Sequence, residues 1–193
     1  MSYLTISPLE QKDIPEAVEV LSDAMLGVPL HTTVFQGRAQ EARRELRHMS
    51  EELVHDPAGV IWVAKLDEQV VGVLRMKWCL GRYISDLLAD EAVLRDTVSR
   101  VAYWQSVWAR HDPREPHWHL GPVGILPSHQ HSGTGTALLQ RFCGEMDARQ
   151  TASYFETDRP WLVPFCQKFG FQLVDEADIF GVKNYFMWRA PQS

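Results

Sequence analysis

"HLGPVGILPSHQHSGTGTALLQRF", residues 119–142, runs from an apolar stretch through Pro127, His129 and His131 into Gly133 and Gly135, and then into a helical pattern. Six residues, Gln130-His131-Ser132-Gly133-Thr134-Gly135, join the expected strand to the expected helix. Glycine has no Cβ, so the backbone there can curl tightly and let a ligand approach its N–H groups. The first turn of the helix adds unpaired N–H groups and a partial positive charge. Together they form a nest for a phosphate or pyrophosphate, with Gln130, His131 and Ser132 as neutral donors at the rim. Two nucleotide motifs are excluded. A Walker loop ends in Gly-Lys-Ser/Thr, whereas Gly135 is followed by Thr136 and Ala137; the dinucleotide pattern needs a third glycine where Leu138 stands.

Working outward, the strand before this turn is expected at Trp118 to Leu126 and the helix after it at Thr134 to Ala148. Upstream, Tyr3 to Ile6 is a strand, followed by a helix in "DIPEAVEVLSDAM" with Asp13 as N-cap, Glu16 completing a capping box and Pro15 in the first turn. Arg38 to Val54 reads as a surface helix with Ala42, Leu46, Met49 and Leu53 as its apolar stripe. Val60 to Leu66 and Val70 to Trp78 are β-rich runs joined by a short polar stretch, a hairpin. Asp86 to Arg110 carries Leu94, Val98, Val101 and Trp108 at helical spacing, and "HDPREP" ends it. Downstream come a strand (Ser153 to Thr157), a helix (Leu162 to Phe169) and two closing strands (Phe171 to Asp175, Asn184 to Arg189). Strands paired locally at first and through helices later predict a mixed sheet in an α/β fold.

Composition bounds the function classes. The 193 residues suit one domain, and 45% hydrophobic residues supply a packed core. Nineteen Lys and Arg against 25 Asp and Glu give a net charge of -6, which disfavours nucleic acid as the main partner. Cys79, Cys143 and Cys166 are odd in number and widely spaced, so neither a disulfide framework nor a cysteine zinc site is suggested and a reducing, cytoplasmic setting follows. No secretory leader and no run of about 18 apolar residues is seen, so no membrane partner is expected.

The pattern Q-x-x-G-x-G after a strand ending in "GILP", with "VPFCQKFGF" about thirty residues later, resembles the Gcn5-related N-acetyltransferase (GNAT) family. "YLTISPLEQKDIPEAVEVL" is similar to that family's first strand and helix, and "VIWVAKLDEQVVGVLRM" to its second and third strands. The resemblance implies a mixed, mostly antiparallel sheet of about seven strands with helices on both faces. It implies one acyl-CoA N-acyltransferase domain over residues 1–193, with a helical insertion at about 80–115. By the same resemblance, Val123, Gly124 and Ile125 pair with the pantetheine arm of acetyl-coenzyme A, and Gln130, His131, Ser132, Gly133, Thr134, Gly135 and Thr136 hold its pyrophosphate.

Acyl transfer from a thioester to an amine needs a neutral amine, a polarised carbonyl and a protonated leaving thiol. His119 stands where some members of the family carry a glutamate base, and an unperturbed histidine with a pKa of about 6.5 suits that task at neutral pH; a structural histidine is the other reading. Glu156, on the next strand, is the second candidate base, or a group that orients the amine or caps the following helix. A strand N–H near Val123 is the oxyanion donor. Cys166 occupies the position where many members place a tyrosine acid, and Leu162 one where related sequences often have asparagine. A thiol can donate a proton in principle, but a buried free cysteine is more often a small core hydrophobe.

The H-x-H pairs His117/His119 and His129/His131 lack a carboxylate or cysteine at metal-ligating spacing, so no metal is expected. Trp78, Tyr83, Tyr103, Trp104 and Trp108 either wall an acceptor pocket or bury the inserted helix. The sequence thus predicts an acetyl-CoA-dependent N-acetyltransferase acting on a small-molecule amine. A coenzyme-binding module that has lost turnover and a protein or peptide N-acetyltransferase are the alternatives. A homodimer stays open.

Overall fold

A computed structural model describes residues 3–81, 91 and 94–192. In chain order these form β1 (Leu4–Pro8), α1 (Ile14–Leu26), α2 (Pro29–Val34), α3 (Ala39–His55), β2 (Gly59–Leu66), β3 (Gln69–Cys79), α4 (Thr97–His111), β4 (His117–Ile125), α5 (Thr134–Ala148), β5 (Ser153–Thr157), α6 (Leu162–Gln167), β6 (Gln172–Ile179) and β7 (Val182–Arg189). The strands make a seven-stranded sheet in the order β1-β2-β3-β4-β5-β7-β6. Every pairing is antiparallel except β4 with β5. The expected mixed, mostly antiparallel sheet covered by helices on both faces is what the chain forms.

The strand patterns explain the layers. Alternation sends Trp62, Leu74, Met76, Leu120 and Phe155 to one face, where Leu138, Phe142 and Met146 of α5 and Cys166 of α6 pack on them. Ile61, Val63 and Val73 face the other way, against Ala17, Val18 and Leu21 of α1. Beside α1, a further cluster joins α2, α3 and α4 through Leu30, Phe35, Leu46, Trp104 and Val107. Phe142 is fully buried, so its replacement by alanine should cost about 3–5 kcal/mol. The β2–β3 hairpin closes through Asp67 and Glu68, both at positive φ (49° and 69°), as a two-residue turn of the kind that matches strand twist.

Local readings fail where tertiary demands override them. The Asp13–Glu16 capping box does not form. Asp13 is the N-cap position of α1 and Pro15 stands in its first turn, as expected, but the Asp13 side chain caps nothing in α1, because its buried carboxylate pairs with buried Lys65 at 2.7 Å. Glu16 instead accepts from the Val70 N–H at 2.8 Å, tying α1 to β3. Within the described residues the helix expected over Asp86 to Arg110 is α4, Thr97–His111, capped by Asp96, which accepts from the Ser99 N–H at 2.9 Å. The earlier part of that expectation, and Tyr83, lie outside the described residues. Helix α2 was not anticipated, because six residues are too few for a periodic signal. It forms because Pro29 follows an extended Val28 and because Leu30 and Val34, one turn apart, are both fully buried.

Candidate active site

The sheet splits between β4 and β5. These strands pair only at Trp118 with Ser153 and at His119 with Tyr154; beyond that they separate. On the opposite edge of β4 the register slips, with Leu74 facing Val123 and Met76 facing Leu120, so Gly121 and Pro122 together oppose Arg75. This is a bulge, which bends the strand away from its neighbour. The buried Arg75 guanidinium occupies the irregularity, with Nη1 3.5 Å from the Gly121 carbonyl, Nε donating to the Leu53 carbonyl at 3.1 Å and Nη2 bonded to Asp56.

Below the bulge β4 has one unpaired edge. Leu126 donates its N–H to Val71 on β3 at 2.9 Å, so strand alternation directs the N–H groups of Ile125 and Val123 into the gap. Val123 is exposed. Gly124 faces α1: a Cβ there would lie 3.1 Å from both the Ala24 Cβ and the Val20 carbonyl oxygen. Its lack of a side chain therefore serves helix packing.

The strand ends in a short 3-10 turn, Pro127–His129, from which the Gln130 side chain reaches back to the Ile125 carbonyl at 3.3 Å. His131 (φ 60°) and Gly133 (φ 90°) are left-handed, and Gly133 is the N-cap of α5. Consecutive N–H groups from His131 through Thr136 have no acceptor among the described residues; the first helical bond is Ala137 to the Gly133 carbonyl. No side chain caps this end of α5 and no acidic residue lies in its first turn. Its partial positive charge is therefore unopposed. A Cβ on Gly133 would meet nothing within 4 Å, and on Gly135 only Ile125 at 3.9 Å, so backbone faces open space here. Ser132 and Thr134 hydroxyls bond each other at 2.9 Å, and Thr134 is buried. This cradle is built from main chain.

At the upper end of the gap the structure brings together two of the three candidate catalytic residues. His119 Nε2 lies 2.9 Å and 3.1 Å from the Glu156 carboxylate oxygens. A carboxylate only accepts, so neutral His119 keeps its proton on Nε2 and presents a lone pair at Nδ1, which has no partner among the described residues. Burial alone would lower the His119 pKa below 6.5, but the charge and hydrogen bond of Glu156 outweigh it and raise it.

Cys166 lies elsewhere. It is buried among Cys143, Phe155 and Phe171, and burial first, Cys143 second, push its thiol up to about 12. Leu162 opens α6, its N–H donating to the Arg159 carbonyl at 3.0 Å.

The rings of His117 and His119 share a face, both against Tyr154. Only His119 reaches the gap; His117 is fully buried, with Nδ1 2.8 Å from the Glu115 carbonyl and Nε2 at 3.4 Å from Asp112. Among the aromatic residues of the insertion, Trp104 is core, Trp108 donates to Asn184 at 3.0 Å and Tyr103 packs on Phe180. Trp78 instead pairs with Trp118 at the far end of β4. Sequence reasoning missed Arg75, whose only signal is an arginine inside an apolar strand, and the residues after Glu156 in "ETDRP". Among the described residues no group of three or more His, Cys, Asp or Glu is placed to hold a metal ion, and no helix is long and apolar enough to cross a membrane.

A family model described as acetyltransferase (GNAT) family matches residues 28–171. Among solved structures, the chain is similar to one described as histone acetyltransferase HPA2 and related acetyltransferase, from Corynebacterium glutamicum, with 26% identity, TM-score 0.71, and coverage of 100% of this chain and 98% of that one. It shares its fold with a PaiA N-acetyltransferase from Thermoplasma acidophilum in complex with coenzyme A (13% identity, TM-score 0.59, 97% and 99% covered). The same holds for a GNAT family acetyltransferase from Brucella melitensis in complex with acetyl-CoA (16% identity, TM-score 0.57, 99% and 90% covered).

Proposed function

The chain belongs to the acetyltransferase (GNAT) family, and from that premise we propose that it transfers an acetyl group from acetyl-coenzyme A to the primary amine of a small molecule, by direct attack with both bound. The observation that carries this reading is the run of unclaimed N–H groups from His131 to Thr136, continuous with the unpaired edge of β4. Those amides and the start of α5 fit a diphosphate, and the Ile125 N–H fits an amide carbonyl of a pantetheine arm. The likeness to structures solved with coenzyme A and acetyl-CoA supports the same assignment. Acetyl-CoA supplies the activated acetyl group as a thioester.

The chain's own residues do the rest. The Val123 N–H is a fixed dipole that stabilises negative charge on a carbonyl oxygen with little reorganisation. His119 Nδ1 takes a proton from the incoming ammonium or amine, directly or through water, while Glu156 fixes the ring and stabilises its charged form. Cys166 serves the core, and the leaving thiolate takes its proton from water. Residues 1–193 act as one domain, with α4 as the inserted helix of the 80–115 segment.

Release of coenzyme A thiol from acetyl-CoA, followed across a panel of small amines, tests this. A rise with one amine class supports it; no release above background with any amine overturns transfer. The position of Cys166 favours a second reading, a coenzyme-binding module without turnover, for which calorimetry would show binding and no transfer.

A further inference from the structure

The last turn of α1 lies across the gap and is held from both banks. On the β4 side it rests on Gly124, as close as an absent side chain permits. On the β5 side, Arg159 donates through Nη2 to the Ala24 carbonyl at 3.2 Å. That carbonyl is one of the four that a helix ending at Leu26 leaves without an internal partner. The adjacent Asp158, buried, accepts from the Leu30 N–H at 2.6 Å, an unclaimed donor in the first turn of α2. Two consecutive residues, beginning two places after Glu156, thus satisfy the end of one helix and the start of the next. Buried His31 completes the join with Nδ1 2.8 Å from the Met25 carbonyl, and desolvation lowers its pKa, keeping it uncharged.

We infer that Asp158 and Arg159 are positioning residues, a strap that fixes the α1–α2 turn over the split in the sheet and so sets where an acceptor amine meets His119. This deepens the acetyltransferase reading and rests on it. The strap touches neither the His131–Thr136 amides nor the β4 edge, so it governs the acceptor and leaves the coenzyme grip alone.

The test uses the full chain with Asp158→Ala and Arg159→Ala, beside Asp158→Asn and Arg159→Lys. With the best amine of the panel, each alanine variant should lose about tenfold to hundredfold in kcat/KM for the amine, while the calorimetric Kd for coenzyme A stays within about twofold. Asparagine still accepts from Leu30 and lysine still donates to Ala24, so both should recover most of the loss. Amide exchange over residues 24–31 should quicken in the alanine variants. Wild-type kinetics in both alanine variants, or coenzyme affinity falling in step with turnover, overturns the strap. If the wild type acetylates no amine, the acetyltransferase reading falls separately, and unchanged exchange over 24–31 in both alanine variants would still overturn the strap.

Discussion

The two ends of the gap between β4 and β5 are made of different material. At the lower end the proposed working groups are main-chain N–H donors, from Val123 and Ile125 and from His131 to Thr136; Ser132 and Thr134 bond each other there, and Gly133 and Gly135 have no side chain. At the upper end they are side chains, His119 and Glu156, brought together across parallel strands from positions 37 apart in the chain. A backbone site tolerates changes that preserve chain geometry; a side-chain site fails when one atom is removed. Substitutions can therefore separate holding from reacting.

The largest effect should fall on the upper end. His119→Gln or Glu156→Gln should lower kcat by about 10²–10⁴-fold while steady-state kinetics and calorimetry show unchanged coenzyme affinity. Loss of binding in step with kcat would erase the contrast. Next, Gly135→Glu has room for its Cβ but places negative charge among the phosphate donors. A loss of about 100-fold in coenzyme affinity, or about 2.7 kcal/mol, is expected by calorimetry, with thermal stability nearly unchanged.

Gly124→Ala should show the opposite: its Cβ would press on the Val20 carbonyl at 3.1 Å, and a backbone atom yields little. It should destabilise the fold by about 1–3 kcal/mol in urea titrations, which would separate a glycine kept for packing from those kept for a ligand. The smallest change should be His131→Gly, which preserves the N–H and suits φ of 60°; coenzyme affinity should hold within about threefold.

A pH series sharpens the upper end further. Because His119 titrates above 6.5 in the folded chain, its base form fills in as pH rises through that higher midpoint. Turnover should climb there and then level. The His119–Glu156 contact works the other way for stability: a folded pKa above the unfolded one contributes fully below about pH 6.5 and is lost as pH rises through the folded value. Denaturant titrations of wild type against His119→Gln across this range should show their difference shrinking with pH.

The same division governs what could be read from the sequence. The cradle was legible because a backbone site writes itself as glycines at fixed spacing before a helix, and the limits of α5, Thr134 and Ala148, followed from it. The candidates His119 and Glu156 were visible singly; their pairing was not, since it depends on β4 and β5 being parallel and in one particular register. Arg75 under the bulge and Asp158 with Arg159 under the helix ends were hidden for a related reason. Most of their partners are main-chain groups freed only once the helices end and the strand bulges where they do, and the Asp56 carboxylate that Arg75 also takes stands just past the end of α3. Asp13 was legible as the N-cap position of α1, but the fate of its carboxylate was not, because buried Lys65 claims it.

With only two residue pairs joining β4 to β5, the sheet is in effect a pair of unequal plates sharing one hinge, β1 to β4 on one side and β5 to β7 on the other. A thioester carrier lying in the wedge would act as a removable seam between them. Because α5 packs on both plates in one core, they melt together, and the seam should show as a single transition that moves to higher temperature as coenzyme A is added.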